Sequence, residues 1–331
     1  YCADEDVEAT IIAEVTASKR MVMHWNGQKI VDLSREFLNT NGAEKEADAL
    51  LVNPTQKPFD YEEFAFTEEN VLAFVQTLAE ANQQAMDEQF DASIGRGTVL
   101  YPYGGKFRAT KELGMISRLP VDKGATQTTS AMAYGYHPYL AERSPFHGGY
   151  YAVVESIARL VAMGFDYKKA RLSFQEYFES LGNNPRAWGK PVLALLGANE
   201  VMAALGLAAI GGKDSMSGTF EELTVPPTLV SFAVATGTIH QVVSRAFKKA
   251  NHPVVLIESV IQEDGTLDLN NFKTILERLH QLAAEGKIVA ASTVGVKGLL
   301  SELLNMAYGN QIGIQLNETI DHRLTEAMMG S

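Results

Sequence analysis

Two periods share this chain: short stretches alternate apolar and polar positions, and longer ones repeat apolar positions every three or four residues. Residues 11–15, 20–25 and 28–33 read as strands, and Asn26-Gly27 predicts a type I′ hairpin turn between the last two. Ser34 can cap a short helix through Leu38, with Asn41-Gly42 as its end. Periodicity fades over residues 44–63, where Pro54 and Pro58 fall, and this predicts a linker. Thr67 then caps a predicted long helix with Val71, Phe74, Val75, Leu78, Ala81 and Ala85 on one face.

Strands are predicted at 98–101, 115–121 and 171–174, with helices at 150–163 and about 192–205. The first of these helices turns Tyr151, Val154, Ile157, Ala158 and Val161 inward. Residues 208–210 lead into a predicted loop, 211–218, and 228–235 are β-branched enough for a buried strand. A further unit is predicted from about residue 244, with strands at 254–257, 288–292 and 312–316. Its helices are one capped by Asp268, carrying Phe272, Ile275, Leu276, Leu279 and Leu282 up to Gly286, and one over 298–307. Alternating strands and helices make this an α/β or α+β protein, and no repeat period appears.

Composition narrows the partners. With 331 residues and 46% of them hydrophobic, the chain can bury two domains' worth of core. A formal charge of −12 argues against nucleic acid or an anionic membrane as main partner, while a local loop can still take an anionic nucleotide. A single cysteine, Cys2, suits a reducing cytoplasm, and no apolar run approaches the roughly 20 residues of a membrane span. No signal peptide is visible, and Tyr1 and Gly330-Ser331 read as cuts in a longer polypeptide.

Candidate chemistry lies in three glycine-basic loops. In Gly211-Gly212-Lys213-Asp214-Ser215-Met216-Ser217-Gly218, paired glycines let backbone N–H groups approach an anion. Lys213 supplies a point charge there, Ser215 and Ser217 supply hydroxyls, and Asp214 can take Mg²⁺ or orient a water. The spacing is not that of a Walker A loop, and taken alone such a stretch is commonly only a turn. Gly95-Arg96-Gly97-Thr98 and Gly104-Gly105-Lys106 share its anion-binding composition, and together the three point to a phosphorylated ligand. Glu155 and Arg159, at i and i+4, read locally as a surface ion pair worth about 0.2–0.5 kcal/mol. The scattered histidines make no zinc motif, Cys2 has no partner motif for a nucleophile, and Trp25 and Trp188 read as packing residues. No catalytic nucleophile or acid–base pair is assigned.

The run from Gly211 through Thr219-Phe220, followed by Val225-Pro226-Pro227-Thr228-Leu229-Val230-Ser231-Phe232, resembles the large, single-chain phosphoribosylformylglycinamidine synthases. Other stretches agree in order: Phe37-Leu38-Asn39-Thr40-Asn41-Gly42, Glu142-Arg143-Ser144-Pro145, Leu172-Ser173-Phe174-Gln175-Glu176-Tyr177-Phe178 and Asn305-Met306-Ala307-Tyr308-Gly309-Asn310. The resemblance runs from about Cys2 to Met328.

That family is similar to a fused dimer of aminoimidazole ribonucleotide synthetase, in which the N-lobe sheets of two halves pair into a barrel. The resemblance implies an aminoimidazole ribonucleotide synthetase-like α+β fold, a mixed, barrel-forming sheet with helices. Residues 1–43 would be the tail of the first half's C-lobe, 44–63 a linker, 64–240 the second N-lobe, and 244–331 a partial C-lobe. It implies an ATP- and Mg²⁺-dependent ligase of purine biosynthesis, cytoplasmic, that turns formylglycinamide ribonucleotide and glutamine-derived ammonia into the amidine. Its partners would be small-molecule nucleotides, the missing first half and the glutaminase, with no nucleic acid or membrane. A homodimer through the N-lobe sheet and inactivity of the isolated fragment are further expectations. Alternatives are a structural, non-catalytic half, or another ATP-binding member of the superfamily, such as a selenophosphate or thiamin-phosphate kinase-like enzyme.

The glycine-basic loops thus offer Arg96, Thr98, Gly104, Gly105, Lys106, Gly211, Gly212, Lys213, Asp214, Ser215 and Ser217 as phosphate- or nucleotide-binding groups, and the resemblance implies metal ligation by Glu155 and Asp122. Family members with a structural nucleotide in the second half hold its magnesium with a Glu-x-x-x-Asn pair and an aspartate of an Asp-Arg-Ser-Asp-Gly-Gly loop. Here Arg159 stands in place of the asparagine, and Thr293 heads Thr293-Val294-Gly295-Val296-Lys297-Gly298 where the aspartate is due. A guanidinium repels the ion rather than ligating it, so this site is expected not to be magnesium-loaded.

Overall fold

The computed structural model describes residues 1–40, 42, 46–52, 59, 65, 67–89, 95 and 97–316. It divides into two compact units, Tyr1–Asp48 and Ala49–Ser331. Most of the predicted linker lies outside the described residues.

In the first unit, β1 (Arg20–Trp25) and β2 (Gln28–Ser34) form an antiparallel hairpin, and Asn26 and Gly27 take φ of 47° and 76° as the turn requires. Asp32 ties the strands by accepting from Arg20 Nε at 2.5 Å and Lys29 Nζ at 2.9 Å. Ser34 Oγ accepts from Phe37 N at 3.1 Å and opens α1 (Arg35–Thr40). The strand expected at 11–15 does not form, and Ile11, Ile12 and Val15 are almost fully exposed. An isolated strand has no ladder to satisfy its backbone, and none is offered there.

The larger unit opens with α2 (Glu68–Val75), capped by the Thr67 hydroxyl, and α3 (Gln84–Asp87). One long helix was expected here. Thr77 instead takes extended geometry and returns its hydroxyl to Phe74 O at 2.8 Å, while Asn82 caps Gln84. Such local side-chain bonds compete with helix, and no side chain of either segment is fully buried to oppose them.

The sheet follows: β3 (Thr98–Leu100), then a two-stranded ribbon of β4 (Tyr103–Gly104) and β5 (Thr110–Lys111), then β6 (Gly114–Arg118) and β7 (Thr128–Gly135). Helices α4 (Pro138–Arg143) and α5 (Pro145–Ala162) lead to β8 (Arg171–Tyr177), α6 (Pro185–Leu205) and β9 (Ala209–Ser215). After a small ribbon of β10 (Thr219–Phe220) and β11 (Leu223–Thr224), β12 (Thr228–Thr238) enters the centre. The six-stranded order is β3-β6-β7-β12-β8-β9, antiparallel except for the β8–β9 pair. Helices α7 (Leu269–Ala284) and α8 (Gly298–Tyr308) complete the unit.

Helices α5 and α6 cover one sheet face. Ile116, Ala131, Ala133, Leu172, Leu229 and Ala233 are buried beneath Tyr150, Val153, Ile157 and Leu160. Two glycines set the spacing: a Cβ on Gly149 would lie 2.0 Å from Ala194 O, and one on Gly197 would lie 2.0 Å from Phe146 O. The opposite face carries Met115, Met132, Tyr134, Phe232, Val234 and Tyr177. Met115, Tyr134, Tyr177 and Val234 are each more than a third exposed.

Three predicted strands, 254–257, 288–292 and 312–316, form no strand; Val254 and Val255 are 52% and 74% exposed. Their composition suits a strand, but a strand exists only with a neighbour to bond, and among the described residues none lies alongside. No described helix is long and apolar enough to cross a membrane.

Candidate functional site

The residues predicted to bind phosphate do not converge in the described structure. Thr98 opens β3 and donates its hydroxyl to Gly95 O at 3.0 Å, while Lys213 lies on β9. These are the two edge strands, five steps apart, on the order of 20 Å. Arg96 lies outside the described residues.

Gly104, Gly105 and Lys106 sit against the end of α8. Lys106 N donates to Asn310 Oδ1 at 2.7 Å, Phe107 N to Gly309 O at 2.9 Å, and Gly309 N to Thr110 Oγ1 at 2.9 Å. A Cβ on Gly105 would meet the Gly309 backbone at 2.3 Å, so glycine at this point serves chain-to-chain approach. The amides of Lys106 and Phe107 are thus already bonded within the protein.

The expected loop 211–218 is for most of its length the edge strand β9. Glycines weaken a strand, yet the parallel ladder to β8 carries Gly212, Lys213, Asp214 and Ser215 opposite Phe174, Gln175, Glu176 and Tyr177. Strand alternation then divides the set. Lys213 and Ser215, bonded to each other, share the open face with Gln175 and Tyr177, whereas Asp214 aligns with Glu176 on the helix-covered side. Ser217 follows the strand and is exposed.

Glu176 is buried, and burial followed by the charge of Asp214 pushes its carboxyl up to about 7. The folded state therefore holds this proton more tightly than the unfolded chain, whose glutamates titrate near 4.3. The resulting stability is full below the unfolded pKa and is lost as pH rises through about 7. Glu176→Gln should remove this loss and raise the denaturation midpoint at pH 8, by about 1 kcal/mol after allowance for partial solvent access. Equal midpoints for the two proteins at pH 8 would contradict the assignment.

Glu155 and Arg159 form a pair on α5, but not at the surface as local spacing suggests. Nη2 of Arg159 lies 2.5 Å from Glu155 Oε1, with the side chains only 17% and 15% exposed. Nη1 donates to Tyr134 O at 3.1 Å, the guanidinium stacks 4.7 Å from the Tyr134 ring centroid, and Tyr136 N donates to Glu155 Oε2 at 2.9 Å. Burial pushes the Glu155 carboxyl up, and the arginine opposes this. Asp122 stands in an exposed turn, and among the described residues no three His, Cys, Asp or Glu side chains gather as a metal would need.

A second ionic cluster, unsuspected from sequence, surrounds Arg245, which is 6% exposed. Its Nη2 pairs with Glu302, Nε donates to Ser292 Oγ at 2.8 Å, Nη1 to Lys111 O at 2.6 Å, and its backbone N to Glu112 Oε2 at 2.9 Å. Burial, and secondarily Arg159, brings its pKa down to about 10. Ser144 and His147 are likewise close, Oγ to Nδ1 at 2.7 Å, but both are buried and His147 Nε2 contacts Asp264 O at 2.9 Å. This is a capping arrangement that holds the 264–267 turn, not a nucleophile.

No family model matches the chain. It is 23% identical over 333 residues to the phosphoribosylformylglycinamidine synthase subunit PurL of Thermococcus sibiricus, covering 94% of this chain and 43% of that one. It is 24% identical over 337 residues to the same subunit of Streptomyces avermitilis, covering 92% and 42%. Nearly the whole of this chain is thus similar to phosphoribosylformylglycinamidine synthase subunits. It spans less than half the length of those synthase subunits. The solved Thermotoga maritima PurLQS matches with a TM-score of 0.57 and 18% identity, over 95% of this chain and 46% of that one. Thermotoga maritima PurL complexed with ATP matches at 0.55 and 16%, over 91% and 44%. The mixed sheet with helices on one side is thus the synthetase-like fold of those enzymes.

Proposed function

We propose that this chain supplies the second synthetase half of a phosphoribosylformylglycinamidine synthase, an ATP-dependent ligase of purine biosynthesis with glutamine as the nitrogen source. The observation that carries it is the match to under half of PurL along nearly the whole of this chain. In the complete enzyme, the γ-phosphate of ATP would activate the formamide oxygen of formylglycinamide ribonucleotide, and ammonia would displace phosphate. Solved Thermotoga maritima PurL complexes with ATP and with FGAR support nucleotide substrates.

The open sheet face would take the N-lobe sheet of the first half, closing a barrel. Lys213 and Ser215, at that face's edge, would then present a cation and a hydroxyl to a phosphate bound between the halves. In isolation the same face would pair with a second copy of the chain.

The separation of Thr98 from Lys213 favours a site completed by another polypeptide. The isolated chain should therefore release no glutamate from glutamine and form no amidine. Adding the upstream half and the glutaminase should restore amidine formation, and turnover by the chain alone would contradict the assignment.

A further inference from the structure

Members of the family resembled that carry a structural nucleotide in the second half would hold it with magnesium, and the residues present here do not fit that ion. We propose that Arg159 is a tethered counter-cation, its guanidinium standing at Glu155 in place of a divalent metal and making the junction of α5 with the 293–297 loop independent of metal. The inference rests on the fold assignment above, though its test does not depend on amidine formation.

Three observations carry it. First, Glu155 is already satisfied on both oxygens, by Arg159 Nη2 at 2.5 Å and Tyr136 N at 2.9 Å. The arginine is fixed in turn by Tyr134, through its carbonyl at 3.1 Å and its ring at 4.7 Å. A metal entering here would meet a guanidinium at contact distance, in surroundings that screen charge poorly.

Second, the loop lies directly over the pair. A Cβ on Gly295 would come 3.3 Å from Glu155 Oε1 and 3.7 Å from Arg159 Nη2. At its head, Thr293 offers a neutral hydroxyl, buried and without a hydrogen-bond partner among the described residues, where a metal would need a carboxylate.

Third, both ends of the loop are held by protein charges. Ser292 Oγ donates to Glu302 Oε2 and accepts from Arg245 Nε, each at 2.8 Å, and Lys297 Nζ lies 3.5 Å from Glu80. No ion is needed to order this segment. The pair sums to zero charge, which is the balance a cation would otherwise provide.

The test is thermal unfolding and calorimetry with Mg²⁺ and MgADP as probes, on the 331-residue chain. The wild type should melt at one temperature in EDTA and in excess Mg²⁺, and MgADP should give no binding heat. Arg159→Asn combined with Thr293→Asp should gain a Mg²⁺-dependent rise of roughly 3 °C or more, with measurable MgADP binding. Arg159→Lys keeps a tethered charge and should stay indifferent to metal, so the test survives if the double variant folds poorly. A wild-type melt raised by Mg²⁺ or MgADP would overturn the proposal. So would a folded double variant that gains no response to either probe.

Discussion

Arg245→Met is expected to lower the stability of the larger unit by about 3–5 kcal/mol, because it strands a carboxylate that the fold has removed from water. The arginine touches β5 through Lys111 O, the 292 segment through Ser292, and α8 through Glu302. Its removal leaves Glu302, 12% exposed, without its counter-charge, and takes from the Ser292 hydroxyl between them the donor it accepts from. An exposed pair offers the contrast. Arg20→Ala breaks the hairpin contact to Asp32, where both side chains are a third or more exposed, and should change stability by under about 1 kcal/mol. Combining Arg245→Met with Glu302→Leu should recover much of the loss, since the deficit comes from the unpaired charge rather than from the volume removed. Urea midpoints measure all three. A deficit for Arg245→Met no larger than for Arg20→Ala would mean that the cluster does not tie these elements together.

What could be read from sequence follows from how local each cause is. Asn26-Gly27 determines its own backbone, and Thr67, Asp268 and Ser34 cap their own helices, so those features agree with the structure. The family resemblance, carried by long ordered stretches, anticipated the fold that the solved relatives share. Strand β7 went unread because its buried face is Thr129, Ala131 and Ala133, an alternation in size rather than in polarity. The loop expected at 211–218 became β9 because a ladder to β8 outweighed the weak strand preference of its glycines. Residues 254–257 err in the opposite direction: β-branched and apolar, they have no partner among the described residues.

The site shows the same division. The i,i+4 spacing of Glu155 and Arg159 announces the pair, but nothing local announces its burial, which comes from a loop beyond residue 290. Arg245 carries no local signal whatever, since its partners lie at positions 111, 112, 292 and 302. Likewise, the composition of Gly104-Gly105-Lys106 suggests a phosphate loop, and only the approach of Gly309 reveals that its amides are engaged.

Phe232→Glu should prevent pairing with the upstream half while leaving the chain folded. Phe232 lies mid-sheet on the uncovered face, opposite Tyr134 on one neighbour and Ser173 on the other. Its row continues a patch formed by Met115, Met132 and Val234, with no like charge nearby that a glutamate would disturb. In the free chain that face meets water, so the charge costs little. Inside a barrel it would be desolvated without a partner, a penalty of at least about 2 kcal/mol, or roughly 30-fold in affinity. Self-association of the chain through this face should weaken in parallel.

Sedimentation of the chain mixed with the upstream synthetase half tests the central claim most directly. The account predicts a one-to-one complex for the wild type and separate species for Phe232→Glu, whose circular dichroism should match the wild type. Two separate species with the wild-type chain, or an undiminished complex with the variant, would contradict the reading of this protein as one half of a synthase closed through its open sheet face.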